Sequence, residues 1–407
     1  MRLKGLGAVL LLVAGGACSS EAVNPDLPES TEWVTENSPP YPVGELSPEP
    51  VVRIGALEGS SEVEFTGLVH VGVLGDGRIV VVDRGPNEVR WFDEDGVFQA
   101  QAGGRGEGPG EFLFPVSATL LPGDTLVLYD GRTQRLTAFD ASASLVATRQ
   151  FQVTSGFGVR LGGTGDGGMM AVEHRMTLAM GRSEYNYARD SLVLLVPSMS
   201  TENVDTVATL PGPESVTWVA YDGDEPVATR QMELPLGELA LAAPTFGGAA
   251  FVRPGDAGLS FYSLEGEMVG HAVRSDLQPV PISEGIKGRF VAKALAEVPE
   301  GGPPPGVVEE EVEARFALLA EGQTVPLFDR ILSAADGGSV WLRRTVLPGD
   351  EALPSHWTVY GVDGGIRAEV QVPPGFRPTY VAADRIAGVE TDGLGVEYAT
   401  VYSFGIR

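Results

Sequence analysis

A seven-residue unit recurs six times along the 407-residue chain, always in one frame: a Gly or Asp, a short apolar run, and a charged residue six positions after the first. It reads GRIVVVD at 77–83, DTLVLYD at 124–130, GGMMAVE at 167–173, GGAAFVR at 247–253, GGSVWLR at 337–343 and DRIAGVE at 384–390. After most units comes a second strand-like run carrying Trp91-Phe92, Ala138-Phe139, Phe261-Tyr262, Val359-Tyr360 or Val401-Tyr402. A tight turn such as Asp95-Gly96, Glu265-Gly266 or Asp363-Gly364 then leads into a further alternating strand. Three of the five gaps between units fall between forty and fifty residues, and the two flanking Gly247 are longer. Short strands joined by hairpins at this period point to a β-propeller, because a lone four-stranded blade cannot bury both faces and a ring of blades can. The fold class expected is therefore all-β, a six-bladed β-propeller over residues 51–407. A β-sandwich or two smaller β domains is the alternative. The last repeat ends at the C-terminus one outer strand short, and Val51, Val52, Arg53 and Ile54 are placed to supply it.

The stretch from Gly104 through Pro109 and Gly110 to Phe112, closing at Pro115, follows Val81-Val82-Asp83 and Asn87 to Asp93. Together these segments resemble the NHL repeat, with its Gly-rich GxGxGPGxF-P connector between blades and its Asp-x-x-Asn-x-Arg-Ile-like turn inside one. The resemblance covers residues 65 to 153. The whole chain resembles the six-bladed β-propeller lipoproteins of bacteria, which implies a fold rather than a function.

Two stretches depart from the repeat. Residues 213–236 read as a longer connection with Trp218, Tyr221 and the acidic run Asp222 to Glu225. Residues 284–321 read as a helical hairpin, with Ile286, Phe290, Ala294, Leu295 and Val298 on one helical face and Val308, Val312, Phe316 and Leu319 on another. Pro299 to Gly306 links the two.

The N-terminus reads as an address. Arg2 and Lys4 precede an apolar stretch from Leu6 to Val13 that is too short to span a bilayer, then small residues, then the chain's one cysteine, Cys18. Residues 1–17 resemble a lipoprotein signal peptide with a lipobox, departing from it at Gly15, where Leu is usual. Cys18 is the expected lipidation point and membrane anchor. Residues 18–50, rich in proline and acids, are the expected flexible tether. The resemblance, with Ser19 after the cysteine, implies an exported, membrane-anchored lipoprotein of the outer membrane, facing the periplasm or the cell surface.

Chemistry is far less legible. The net charge of -27, from 28 basic against 55 acidic residues, excludes sequence-independent nucleic-acid binding, which needs clustered cations. A single cysteine excludes an internal disulfide and a Cys-based zinc cluster. No GxSxG elbow is present. The six charges closing the repeat unit, Asp83, Asp130, Glu173, Arg253, Arg343 and Glu390, share one frame and so surround the axis as candidate ligand-binding residues at the channel mouth. The competing role, tying down the following turn, is the stronger one for Asp83 and Asp130. No cofactor is expected. Some six-bladed propellers are metal-dependent lactonases or lyases, and His70 and His174 are the weak metal candidates for that alternative. The leading expectation is a non-catalytic scaffold for a polar ligand or an envelope protein. Radioactive palmitate should label the wild-type protein and not Cys18→Ala; equal labelling would remove the anchor.

Overall fold

The structure, a computed structural model, describes residues 33–154, 158–179, 183–200, 204–223, 225–252 and 257–407. The signal stretch and Cys18 lie outside the described residues. Three strands, β1 (Trp33–Asn37), β2 (Val43–Leu46) and β3 (Val52–Ile54), precede the first blade. Blade 1 is β4 (Leu68–Val73), β5 (Ile79–Asp83), β6 (Glu88–Phe92) and β7 (Phe98–Gly103). Blade 2 is β8 (Pro115–Leu121), β9 (Thr125–Asp130), β10 (Arg135–Phe139) and β11 (Leu145–Gln150). Blade 3 is β12 (Val159–Gly163), β13 (Met169–Arg175), β14 (Tyr185–Pro197) and β15 (Val204–Asp222), with β16 (Glu225–Glu233) added. Blade 4 is β17 (Leu241–Thr245), β18 (Gly248–Val252), β19 (Gly258–Ser263) and β20 (Met268–Arg274). An insertion follows: β21 (Val280–Pro281), α1 (Glu284–Ala296), α2 (Pro305–Phe316) and β22 (Thr324–Val325). Blade 5 is β23 (Phe328–Ser333), β24 (Ser339–Arg344), β25 (Ser355–Gly361) and β26 (Ile366–Val372), and blade 6 is β27 (Phe376–Val381), β28 (Arg385–Thr391) and β29 (Glu397–Ile406). Within each blade successive strands pair antiparallel from the axis outward. The chain is a six-bladed β-propeller.

The repeat unit supplies the second strand of each blade. That strand is packed on both faces, so its sequence is a continuous apolar run rather than an alternating one, and β5 and β18 are buried at every residue. Its alternate side chains enter the two neighbouring interfaces: Ile79 and Val81 pack with Ala387 and Val401 of blade 6, whereas Val80 and Val82 pack with Leu126 and Leu128 of blade 2. Six such clusters fill the six gaps between blades. Each buried Val or Phe in them contributes about 1.5–3 kcal/mol. The outer strand β7 meets solvent on one side and alternates accordingly.

Ring closure follows the expectation. β3 is the outer strand of blade 6, antiparallel to β29 with Val52, Arg53 and Ile54 opposite Val401, Thr400 and Ala399, and Ile54 is buried in the blade 6–blade 1 cluster. The tether expectation, by contrast, extends too far. β1 pairs parallel with β20 as a fifth strand of blade 4. β2 lies between blades 5 and 6, parallel to β26 and antiparallel to the end of β29. Of the prolines that suggest a tether, those at 39, 40, 42, 48 and 50 stand between these strands, at the corners where the segment passes from one blade to the next, and Pro25 and Pro28 lie outside the described residues. Trp33 anchors the segment on Phe261, ring centroids 5.3 Å apart, in a slot floored by Gly270, where any Cβ would come within 2.0 Å of the indole.

The two departures from the repeat also resolve. Most of the expected longer connection, residues 213–222 and 225–233, belongs to the paired strands β15 and β16. The helical hairpin is present. Pro305, the last of its three successive prolines, is the first residue of α2, where its missing N–H has no partner to lose. Phe290 and Phe316 meet edge-on at 5.6 Å between the helices.

A chain trimmed to begin at Val51 loses β1 and β2 and should melt about 5 °C below one beginning at Trp33. Equal melting temperatures in thermal unfolding would restore the longer tether.

Candidate functional site

The charges that close the repeat units stand at the ends of the second strands, on one face of the ring, and most are occupied by the chain itself. Asp130, almost fully buried, accepts from the amides of Leu113 and Phe114 through Oδ2 and of Arg132 and Thr133 through Oδ1. Burial pushes its pKa up, but the four amide donors outweigh it and leave the carboxyl below its ordinary value. Asp83 receives fewer donors, Thr66 N at 3.3 Å and Gly85 N at 3.0 Å, with the Arg90 guanidinium as an ion-pair partner at 3.8 Å. Burial therefore dominates and holds it above the ordinary value. Glu173 accepts from Thr154 N at 2.6 Å and from Arg175 Nε at 2.8 Å, and Glu390 binds Arg53 Nε and Thr400 Oγ1, both at 3.1 Å. Arg343 pairs with Asp329 at 2.6 Å. Arg253 lies outside the described residues. Of the five described, Arg343 is the one that lines the chamber described next.

Two cavities lie on this side of the ring. β14 and β15 run past the blade, and with β16 they form a three-stranded flap. The helical hairpin leans on it, with Leu318 and Leu319 against Val216, Met232 and Leu234. Flap and hairpin wall a chamber of about 1040 Å³, lined in part by Val116, Arg160, Met232, Ala242, Phe290 and Val312. His174 and Asp190 face each other in its wall, Nε2 to Oδ2 at 2.8 Å. Asp190 is held by Thr177 N and Ser215 Oγ. Val116, Arg160 and Ala242 are shared with the second cavity, the axial channel of about 240 Å³, so the chamber is its antechamber.

All six inner strands line the channel. Their inner edges have no further strand to pair with, and hydroxyls from neighbouring blades take over part of that role. Thr379 Oγ1 both accepts from Val71 N and donates to Val71 O at 3.0 Å, Ser117 Oγ accepts from Leu161 N at 2.9 Å, and Ser333 Oγ donates to Pro244 O. Among these groups stand Arg160, Arg330, Arg377 and His70. Burial lowers the pKa of Arg330 to about 10, and the charges of Arg343, Arg377 and Arg160 add to the effect. His70 is only 4% exposed, its Nε2 has no partner, and burial followed by the charge of Arg377 lowers it to about 4.

Residues 52–161 match the model of the DUF5128 family, described as a 6-bladed beta-propeller. No curated protein matches the sequence. Among solved structures, one similar protein is described as exported and comes from Bacteroides fragilis, at 9% identity over 93% of this chain and 100% of that one, TM-score 0.46. Another is a member of the duf4221 family from Bacteroides vulgatus, at 11% identity over 90% and 99%, TM-score 0.49. A third is virginiamycin B lyase from Staphylococcus aureus, at 8% identity over 88% and 99%, TM-score 0.37. At these identities the likeness concerns the fold.

Among the described residues no three His, Cys, Asp or Glu side chains gather where an ion could sit. His70 lines the channel and His174 the chamber, and arginines beside His70 oppose a cation there. The arginines themselves escape a reading at the charged end of the repeat, yet the same frame holds them. Seven residues before each unit (70 before 77, 117 before 124, 160 before 167, 240 before 247, 330 before 337, 377 before 384) stand His70, Ser117, Arg160, Ala240, Arg330 and Arg377.

Because His70 titrates near 4 in the folded chain and at 6.5 when unfolded, the unfolded state takes up the proton first as pH falls. Its stabilisation is complete above 6.5 and declines by roughly 3 kcal/mol as pH falls toward 4. The melting temperature should fall less steeply over that window in His70→Gln than in wild type; parallel curves would exclude His70 as the titrating group.

Proposed function

We propose that this protein is an exported, lipid-anchored binding propeller that holds a small polar ligand in the chamber and channel and does no chemistry on it. The observation that carries this reading is the chamber of about 1040 Å³, walled by the two insertions that ring closure does not require. Concave, partly apolar enclosures with a few convergent polar groups are the general form of ligand sites.

The anchor and the chamber are compatible. β1 is parallel to β20, and β20 runs toward the helical hairpin, so the chain enters the body at the face away from the chamber. Trp33 marks that entry, beside Gly364 in the turn between β25 and β26. A lipid on Cys18 leaves residues 19–32 before β1, a span of at most about 50 Å. On this reading the lipid attaches to the face of the body opposite the chamber opening. No helix among the described residues is long and apolar enough to cross a membrane.

His174, oriented by Asp190 in the chamber wall, favours a second reading, in which it moves a proton on the bound molecule. Under that reading His174→Ala keeps binding and abolishes turnover. Under the first it changes binding alone.

A thermal-shift screen of the mature protein against neutral sugars, amines and organic acids should return polar ligands that raise the melting temperature. Arg160→Trp, at the exposed position that chamber and channel share, should reduce those shifts at least tenfold in potency. Shifts unchanged in Arg160→Trp, or no shift with any class, would overturn the binding role.

A further inference from the structure

Three of the six positions seven residues before the repeat units are arginine and line the channel, and among the described residues none that lines it is acidic. The side chains of Arg160 and Arg330 make no hydrogen bond or ion pair with any described residue, whereas that of Arg343, in the chamber, is matched by Asp329. Arg377 spends one nitrogen on Leu68 O at 2.9 Å and directs no ion pair at a described carboxylate. Arg160 keeps much of its surface open to the channel although protein crowds it closely enough to lower its pKa. Mutual repulsion of this kind costs stability, and a plug for the channel would be built more cheaply from apolar side chains or from matched pairs. The chain holds almost twice as many acids as bases, so a carboxylate partner was available and is absent from this lining.

We propose that the channel is an anion site in which Arg160, Arg330 and Arg377 bind a compact oxyanion carrying two or more negative charges, a phosphate or a di- or tricarboxylate. The inference rests on the binding role above and names its ligand class. The guanidinium fork matches carboxylate and phosphate oxygens two at a time. Three forks call for more than one negative charge. A channel of about 240 Å³ holds roughly eight waters at ~30 Å³ each, which limits the occupant to a compact anion. His70, buried beside the arginines and neutral at pH 7, adds no fourth charge to the ring. A Cβ on Gly72 would come within 2.9 Å of its Nε2 and 2.6 Å of Leu120 Cδ1, so glycine there leaves the imidazole its place.

The test titrates the mature protein at constant ionic strength with inorganic phosphate, citrate, acetate and glucose, read by melting temperature and by calorimetry. Phosphate or citrate should bind at millimolar concentrations or below, acetate at least tenfold more weakly, and glucose not through this site. Whichever of phosphate and citrate binds more tightly identifies the headgroup. Arg330→Gln should lose at least tenfold in anion affinity while its anion-free melting temperature stays level or rises, because a repelled charge has gone. Arg330→Lys should recover part of the binding. A purely structural arginine would instead lower the anion-free melting temperature and leave the anion response intact, which would overturn the proposal. So would binding of glucose or other neutral ligands without any anion response, an outcome that leaves the binding role standing. Failure of every class in the wider screen would remove both.

Discussion

Buried carboxylates hold the loops of this propeller together. A blade must bring the loop entering its inner strand and the turn leaving its second strand to one place, although some seventeen residues separate them. Asp130 does this with four hydrogen bonds, two to the entering loop and two to the departing turn. Asp83 does it with two. In blade 5 the roles are exchanged: Asp329, on the inner strand, receives Val346 N from the chain beyond the second strand, and Arg343 fills the position taken by Asp in blades 1 and 2. Removing such a carboxylate leaves several amides without acceptors in a buried place, at about 1–3 kcal/mol each.

The same ties fix where the inner strands of blades 1, 2, 3 and 5 begin. His70, Arg160 and Arg330 lie within the first three residues of three of these strands, so the locks that consume the acidic charges also hold these basic residues around the axis. Closure by β3 keeps that ring from opening, and the Ser and Thr hydroxyls along the inner edges hold the strands around a channel of fixed width. The arginines are thus set on strands, where a preorganised cluster is held more accurately than on loops.

The features legible in the sequence are those that repeat. Blade number, the closing strand at Val52–Ile54 and the helical faces of the hairpin follow from periodicity, which is a local signal. Side-chain direction is not local. Asp83 and Glu173 share a frame with Arg343, yet two turn into loops and one lines a chamber. The segment from Trp33 to Leu46 is hidden by its prolines. What makes it structural is a slot between Gly270, Gly364 and Phe261, more than two hundred residues away in sequence. The ring of arginines was written in the same register as the repeat. It is obscured because one Arg in a short apolar run looks like any solvent-facing strand residue until six inner strands are placed around one axis.

The acidity of the chain gains a physical meaning once the cations are located. Twenty-eight basic residues against fifty-five acidic ones give an exterior that repels anions at long range, while arginines in a narrow, protein-walled channel create a positive potential where screening by water is weakest. The two fields act on different ligands. An extended polyanion such as a nucleic acid meets the exterior along its whole length and cannot follow the channel. A compact dianion meets the repulsion briefly, is screened from it beyond about 8–10 Å at physiological salt, and then reaches the arginines through the chamber. On the proposed reading the negative surface works as a filter, and the charge that excludes one class of partner is the reason the channel can select another.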